Sequence, residues 1–417
     1  MAEAIKKKRI LIYSLVFSPD GVSTAYLYND IALGLQKKGH QVCVLTTTPH
    51  FNLINESLDK QPLKKRFLGL FYISDFNGIK VYHIPLKKHK STSLRILSFI
   101  YWHKISFFIG FFLKRPDVIL TPSPPLTSGF LAILLAKIKG AKTIYNVQEI
   151  YPDLLIHLGH LKNTFLINIL KKLERWVYNG SDAVTTIDKQ FYNTIKPRIK
   201  EKSSLHIIPN FVDTDLYEME SSLKLPAEFV SESGNTNMLY AGNIGLAQEW
   251  DLVLELAQEL KKQPITFWII GEGVKKEYLK SQIEMRQLSN IKLLPYQNRK
   301  FMPAINLFAD FHFIAMDKSM ENEGFPSKVY TIMASGKPMV VVSSEQTPIT
   351  SFLKETETAI LVTDHSLSGF KNAVLKLTLD KDLRNSLGAN GRKIIEQKYT
   401  KNQVINQYTD LIENIYK

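Results

Sequence analysis

The chain has 417 residues, a single cysteine, 45% hydrophobic and 22% charged residues, and a net charge of +14. These are ordinary globular proportions, so a disordered, collagenous or disulfide-stapled protein is excluded, and at ~100 to 200 residues per domain two domains are expected. Cys43 sits alone in an apolar run, which excludes an internal disulfide and a thiolate metal site and implies a reducing compartment.

The chain opens with Lys6, Lys7, Lys8 and Arg9 before a short apolar run that ends in Ser18-Pro19-Asp20-Gly21. This reads as a buried first strand, 9–16, rather than a cleaved secretory leader. Further strand-sized runs follow at 41–46, 79–84, 117–121, 141–146, 183–187 and 205–208. After the turn-rich Ile208-Pro209-Asn210-Phe211-Val212-Asp213 they resume at 237–240, 266–270, 291–294, 311–315 and 338–342. Alternation with longer helical patterns is the signature of doubly wound parallel sheets. The expected division is 1–212, 213–395, and a helical segment 396–417 placed to cross back to the first domain.

Charge divides with the domains. Residues 1–208 carry 30 Lys/Arg against 13 Asp/Glu, a balance of +17, whereas the remainder balances at −3. Such a first half suits nucleic acid, an anionic membrane surface or a phosphorylated substrate. Within it, 93–113 is an aromatic, apolar stretch of membrane-spanning length, but His103-Lys104 lies at its middle, where a charge costs ~2.5 to 3.5 kcal/mol. Two readings remain: a helix lying on an anionic membrane between Lys87, Lys88, Lys90, Arg95 and Lys114, Arg115, or a helix covering the sheet.

The second half opens with Gly242-Asn243-Ile244-Gly245 at a strand end, and Gly271-Glu272-Gly273 repeats the arrangement. Glycine after a parallel strand lets backbone amides approach a phosphate, and the following helix directs its positive end there, although such turns also serve strand-to-helix packing. In Glu323-Gly324-Phe325-Pro326-Ser327-Lys328-Val329-Tyr330, Pro326 suits a first helical turn, leaving the amides of Ser327, Lys328 and Val329 for an anion and the Lys328 ammonium as a mobile cation. The alternative is a plain capped helix with a solvated lysine. No HExxH, Cys/His cluster, EF-hand loop or GxSxG occurs, so neither a metal nor another cofactor is expected.

Glu149 and Asp153 flank Pro152 after the strand at 141–146, where open α/β sheets place ligands. Glu149 is a candidate to orient or deprotonate an acceptor hydroxyl, or else a loop or capping acid. His50 and His160 are further acceptor-side candidates; His40 and His312, beside apolar strand residues, read as structural.

With Phe17 to Gly21, Gly39-His40-Gln41-Val42, Gln148 to Asp153 and Met333-Ala334-Ser335-Gly336-Lys337-Pro338, these segments resemble family 4 retaining glycosyltransferases of the GT-B fold over essentially the whole chain. Within that family they resemble bacterial enzymes of capsule, O-antigen and slime polysaccharide assembly assigned as L-fucosamine transferases. The resemblance implies two Rossmann-like domains, a nucleotide-sugar donor, UDP-linked, and a lipid-linked saccharide acceptor at the inner face of the membrane. It implies that Gly242, Asn243 and Gly245 line the donor pyrophosphate, with Gly271 nearby, that Glu323 contacts the donor sugar, that Tyr296 lies near the base, and that Gly21 lies on the loop facing donor and acceptor. Three departures stand out. The second glutamate of the family's Glu-x7-Glu motif is Thr331, uncharged Asn243 and Gln248 replace phosphate-binding cations so that Lys328 is the replacement, and one glycine stands at Gly21 where many members have two.

Two rivals are a non-hydrolysing UDP-sugar epimerase of related fold and a basic nucleic-acid-binding protein. The basic half and aromatic helix disfavour the first. No nucleic-acid motif accompanies the charge, so no nucleic-acid partner is expected.

Overall fold

The computed structural model describes residues 7–51, 55–86, 91–200, 204–217, 225–321 and 325–416. The chain forms two compact units, residues 1–210 with 402–417, and residues 211–401.

The first unit carries strands β1 (Arg9–Tyr13), β2 (Gln41–Thr47), β3 (Lys64–Arg66), β4 (Phe71–Phe76), β5 (Ile79–Ile84), β6 (Val118–Pro122), β7 (Lys142–Val147), β8 (Ala183–Thr186) and β9 (Ser204–Ile207). They form one sheet in the order β3-β4-β5-β2-β1-β6-β7-β8-β9. The strands from β5 to β9 pair in parallel, whereas β3, β4 and β5 are antiparallel neighbours. β1 and β6 are buried almost throughout, which explains their unbroken Ile, Leu and Val.

The helix Thr92–Phe112 has two distinct faces. Its inner stripe covers the sheet: Trp102 is fully buried and stacks on Tyr13 at 5.6 Å, and Gly110 leaves room for Leu135, whose Cδ2 lies 2.7 Å from where a Cβ would stand. Its outer stripe, including Leu97, Tyr101, Phe108 and Phe112, is exposed and apolar, where a helix over a globular core ordinarily turns polar residues outward. His103 belongs to the protein side, bonded to the Phe99 carbonyl and to Thr127, both at 2.7 Å, and burial lowers its pKa. Among the described residues no helix is long and apolar enough to cross a membrane. Lys87, Lys88 and Lys90 lie outside the described residues.

The helix Lys401–Asn414 packs on the first unit. Ile405 reaches so close to Gly34 of the helix Ser23–Lys37 that a Cβ there would lie 2.1 Å from the isoleucine Cδ1.

The second unit carries β10 (Thr236–Ala241), β11 (Ile265–Ile270), β12 (Ile291–Leu294), β13 (Phe311–Ala315), β14 (Met339–Val342) and β15 (Ala359–Val362). Its sheet is parallel, in the order β12-β11-β10-β13-β14-β15. Strand order reverses direction beside β1 and β6 in the first unit and beside β10 and β13 in the second. Open α/β sheets bind ligands outside the carboxyl ends of strands at such points.

Candidate functional site

In the second unit the chain leaves β10 through Gly242 and leaves β13 toward Lys328, so these residues flank the reversal point. The turns after β10 and β11 lie backbone on backbone. At Gly271, φ is +151° and a Cβ would fall 1.8 Å from the Gly242 carbonyl oxygen; at Gly273 it would fall 2.2 Å from that of Ile244. Only glycine fits either position. The Gly242 amide donates to Ile270 at 2.9 Å and the Ile244 amide to Glu272 at 2.8 Å. The glycines therefore serve close packing first, and these two amides are already engaged. Tyr240 donates its hydroxyl to the Asn243 carbonyl at 2.7 Å, and Trp250, opening the next helix, donates to the Gly245 carbonyl at 2.9 Å.

Lys328 reaches under this turn. The residue as a whole is half-buried, but its Nζ is enclosed, has no hydrogen-bond partner among the described residues, and lies 3.5 Å from the Tyr240 ring centroid. A Cβ on Gly242 would meet that Nζ at 2.7 Å. Burial lowers the ammonium pKa to about 7. This is not a solvated surface lysine.

The start of this helix corrects several expectations. The helix spans Lys328–Ala334 with Ser327 at its N-cap, so Pro326 precedes the first turn instead of occupying it. The Val329 amide donates to the Pro326 carbonyl at 3.0 Å and its side chain is core, so Val329 offers an anion nothing. Ser327 is exposed. Thr331 donates its hydroxyl to the Lys328 carbonyl at 2.8 Å, a bond within its own helix rather than one directed at a ligand. Tyr296 is exposed two residues beyond Leu294, whose carbonyl accepts the Gly271 amide at 3.1 Å. Glu323 lies outside the described residues.

In the first unit the loops after β1 and β2 are tied together. Asp20 Oδ1 accepts from the amides of His50 and Phe51, both at 2.7 Å, and the Gly21 amide donates to the Phe51 carbonyl at 2.9 Å. Asp20 was missed in the sequence, although its place in Ser18-Pro19-Asp20-Gly21 after a buried strand was the available signal. A buried chain from Ser18 through Gln61 and Ser74 to His83 holds the same loop from behind, with links of 2.6, 2.8 and 2.8 Å. The His50 ring lies against Phe51, with Nδ1 2.8 Å from the Thr48 carbonyl.

Glu149 follows β7, its backbone bracketed by Ser123; burial raises its carboxyl pKa, opposed by a hydrogen bond from Tyr151. Asp153 is engaged by a cation: Arg198 bridges it at 2.5 Å to the buried Glu174 at 2.6 Å. His160 is exposed beyond the helix Asp153–His157. His40 and His312 are buried, bonded to the Lys8 amide and the Asn306 carbonyl. Among the described residues no group of three or more His, Cys, Asp or Glu is placed to hold a metal ion.

Two doubly wound parallel-sheet units, each with its strand order reversing at one point, are the architecture of the GT-B class. The chain belongs to the family 4 glycosyltransferases: the family description "Glycosyltransferase Family 4" matches residues 25–216 and "Glycosyl transferases group 1" matches residues 223–394. It is 26% identical to WcaI of Escherichia coli (strain K12), named as a colanic acid biosynthesis glycosyl transferase, over 82% of this chain and 84% of that protein. In fold it is similar to sucrose-phosphate synthase from Thermosynechococcus elongatus (TM-score 0.74, 13% identity, 98% of this chain and 99% of that one). It is also similar to Anabaena HepE in complex with UDP and glucose (TM-score 0.71, 13% identity, 97% and 99%).

Proposed function

We propose that the protein transfers a sugar, with retention of configuration, from a UDP-linked donor to a lipid-linked saccharide in cell-surface polysaccharide assembly. The transferred unit is an N-acetylated amino sugar, and the work is done at the cytoplasmic face of the membrane. The observation that carries this reading is the Lys328 Nζ, enclosed directly beneath the Gly242 turn and without a hydrogen-bond partner among the described residues. A buried cation needs a counter-charge, and a diphosphate seated over this turn supplies one. As the sugar–phosphate bond breaks, negative charge grows on the departing nucleotide, and a fixed cation in a desolvated place stabilises it more than one in water. Asn243 and Gly245 complete the turn around the phosphates, Tyr296 faces the base, and Glu323 holds the sugar hydroxyls. In the first unit, the tied loops carrying Gly21 and His50 receive the acceptor. Glu149, whose burial shifts its pKa toward neutrality, orients or deprotonates the attacking hydroxyl.

The outer apolar stripe of Thr92–Phe112, with exposed Lys104 on the helix and exposed Lys114 and Arg115 beyond its end, supports contact with an anionic inner-leaflet surface, where a lipid-linked acceptor resides. A thermal-shift screen across nucleotides and nucleotide sugars tests the donor reading: a ligand at 100 times its Kd stabilises by ~2.7 kcal/mol. A shift with UDP and a UDP-sugar is expected. Absence of any shift with uridine nucleotides, alongside one with another base, would refute the UDP assignment.

A further inference from the structure

The turn between β3 and β4 places two large apolar side chains in water at a conformational cost. Phe67 and Leu68 are 78% and 99% exposed, with φ of +42° and +55°, and Gly69 follows at +98°. Left-handed backbone at two successive bulky residues is a genuine outlier, and folding gains no burial from it. The strand leading into this turn is Lys64-Lys65-Arg66, all three exposed.

The tip is continuous with the aromatic helix. The Phe67 ring stacks on Phe71 at 5.7 Å, and Phe71 enters the same core as Trp102 and Ile109 of Thr92–Phe112, with Leu70 and Phe99 packed against it. The turn and the helix's exposed stripe therefore cap one side of one sheet.

We propose that the Phe67-Leu68 tip inserts into the acyl region of an anionic bilayer while Lys64, Lys65 and Arg66 bind its headgroups. This rests on the membrane reading given for the helix and adds the element that penetrates. The occupant follows from the chemistry: a bare apolar apex behind three adjacent cations, in a half of the chain balanced at +17, matches a surface that is apolar inside and anionic at its rim. Burying a phenylalanine and a leucine on binding is expected to strengthen attachment roughly tenfold or more.

The test uses the full chain with Cys43→Ser and Leu68→Cys, labelled with a polarity-sensitive fluorophore, and the same label at Lys381→Cys as a control. Vesicles are of equal parts phosphatidylglycerol and phosphatidylcholine, or phosphatidylcholine alone. On the mixed vesicles the label at position 68 should shift to the blue and be quenched by acyl-chain-attached quenchers, and the control label should not. Phe67→Ser with Leu68→Ser should weaken co-sedimentation with mixed vesicles at least ~tenfold, and alanines at Lys64, Lys65 and Arg66 should reduce the preference for the anionic lipid. Binding to mixed vesicles with the position 68 label still in water would overturn the insertion and leave the helix reading standing. Failure to bind either vesicle would overturn both. A blue shift without vesicles that grows with protein concentration would assign the tip to a second copy of the chain and overturn the proposal.

Discussion

Lys328 and Tyr240 form a cation–π pair in which the ammonium nitrogen lies 3.5 Å from the ring centroid, while the same tyrosine's hydroxyl donates to the carbonyl of Asn243. One aromatic side chain thus holds both the lysine and the turn above it. A π face offsets only part of the cost of desolvating an ammonium, and the remainder is available to a ligand anion.

Replacing the lysine should therefore fall on the chemical step. Lys328→Ala is expected to lower turnover by ~100-fold or more, with binding of the phosphate-free nucleoside little changed. Steady-state kinetics with separate nucleoside titrations check this, and near-normal turnover would move the catalytic cation elsewhere.

The lysine's pKa of about 7 makes donor binding proton-linked. In the free protein the group is largely neutral above pH 7, and the diphosphate favours its charged form, so binding at pH 8 should take up close to one proton, and little below pH 6. Affinity for a UDP-sugar should fall as pH rises above 7. The unfolded chain's lysine holds its proton to about pH 10.4, so between pH 7 and that value stability of the unliganded protein rises with pH. Calorimetry in buffers of different ionisation heat reads the uptake, and Lys328→Met should erase it.

Gly271→Ala pushes a methyl into the Gly242 carbonyl at a left-handed φ. Strain of ~1 to 3 kcal/mol should lower the melting temperature by roughly 2 to 12 °C and weaken donor binding as both turns shift. An unchanged melting curve would mean that the two turns do not pack as described.

Arg198 is the shared partner of Asp153 and Glu174, so Arg198→Ala leaves two carboxylates without their cation, one of them buried. A loss of ~3 to 5 kcal/mol is expected in urea unfolding. Asp153→Asn should likewise cost stability while leaving the KM for acceptor unchanged; a raised KM at full stability would restore Asp153 to the acceptor site.

Turnover is expected to survive chelators, because lysine and backbone groups carry the phosphate charge in this reading. Loss of activity in EDTA, restored by a divalent cation, would require a metal-assisted mechanism instead.

The parallel strands were legible because strands buried on both faces read as unbroken Val, Ile and Leu. The strand expected at 9–16 ends at Tyr13, since Leu15 to Phe17 stay apolar while packing as a loop, and apolarity alone does not mark a strand end. β3 and β4 were missed because they are short and polar-alternating, although Asn77-Gly78, at φ of +51° and +83°, is the hairpin turn that announced β4 and β5. β15 is only four residues long. At the site, Gly242 and Lys328 were legible as residue types after strands. Asp153 was not, because its partner stands 45 residues away, and neither was the fate of the Val329 amide, which depends on how the first turn closes.

The seating of Ile405 against Gly34 has a consequence for biosynthesis. The helix Lys401–Asn414 leaves the ribosome only after the whole of Phe211–Lys401, a delay of ~10 to 40 s at ~5 to 20 residues per second. Through that interval the surface around Gly34 waits without its cover, exposed to chaperones or to wrong partners, while the second unit has all of its own strands in hand. The Lys8 ammonium lies 3.5 Å from the Tyr416 ring centroid, so a circular permutant that places the helix ahead of β1 would let the first unit close as soon as it is made.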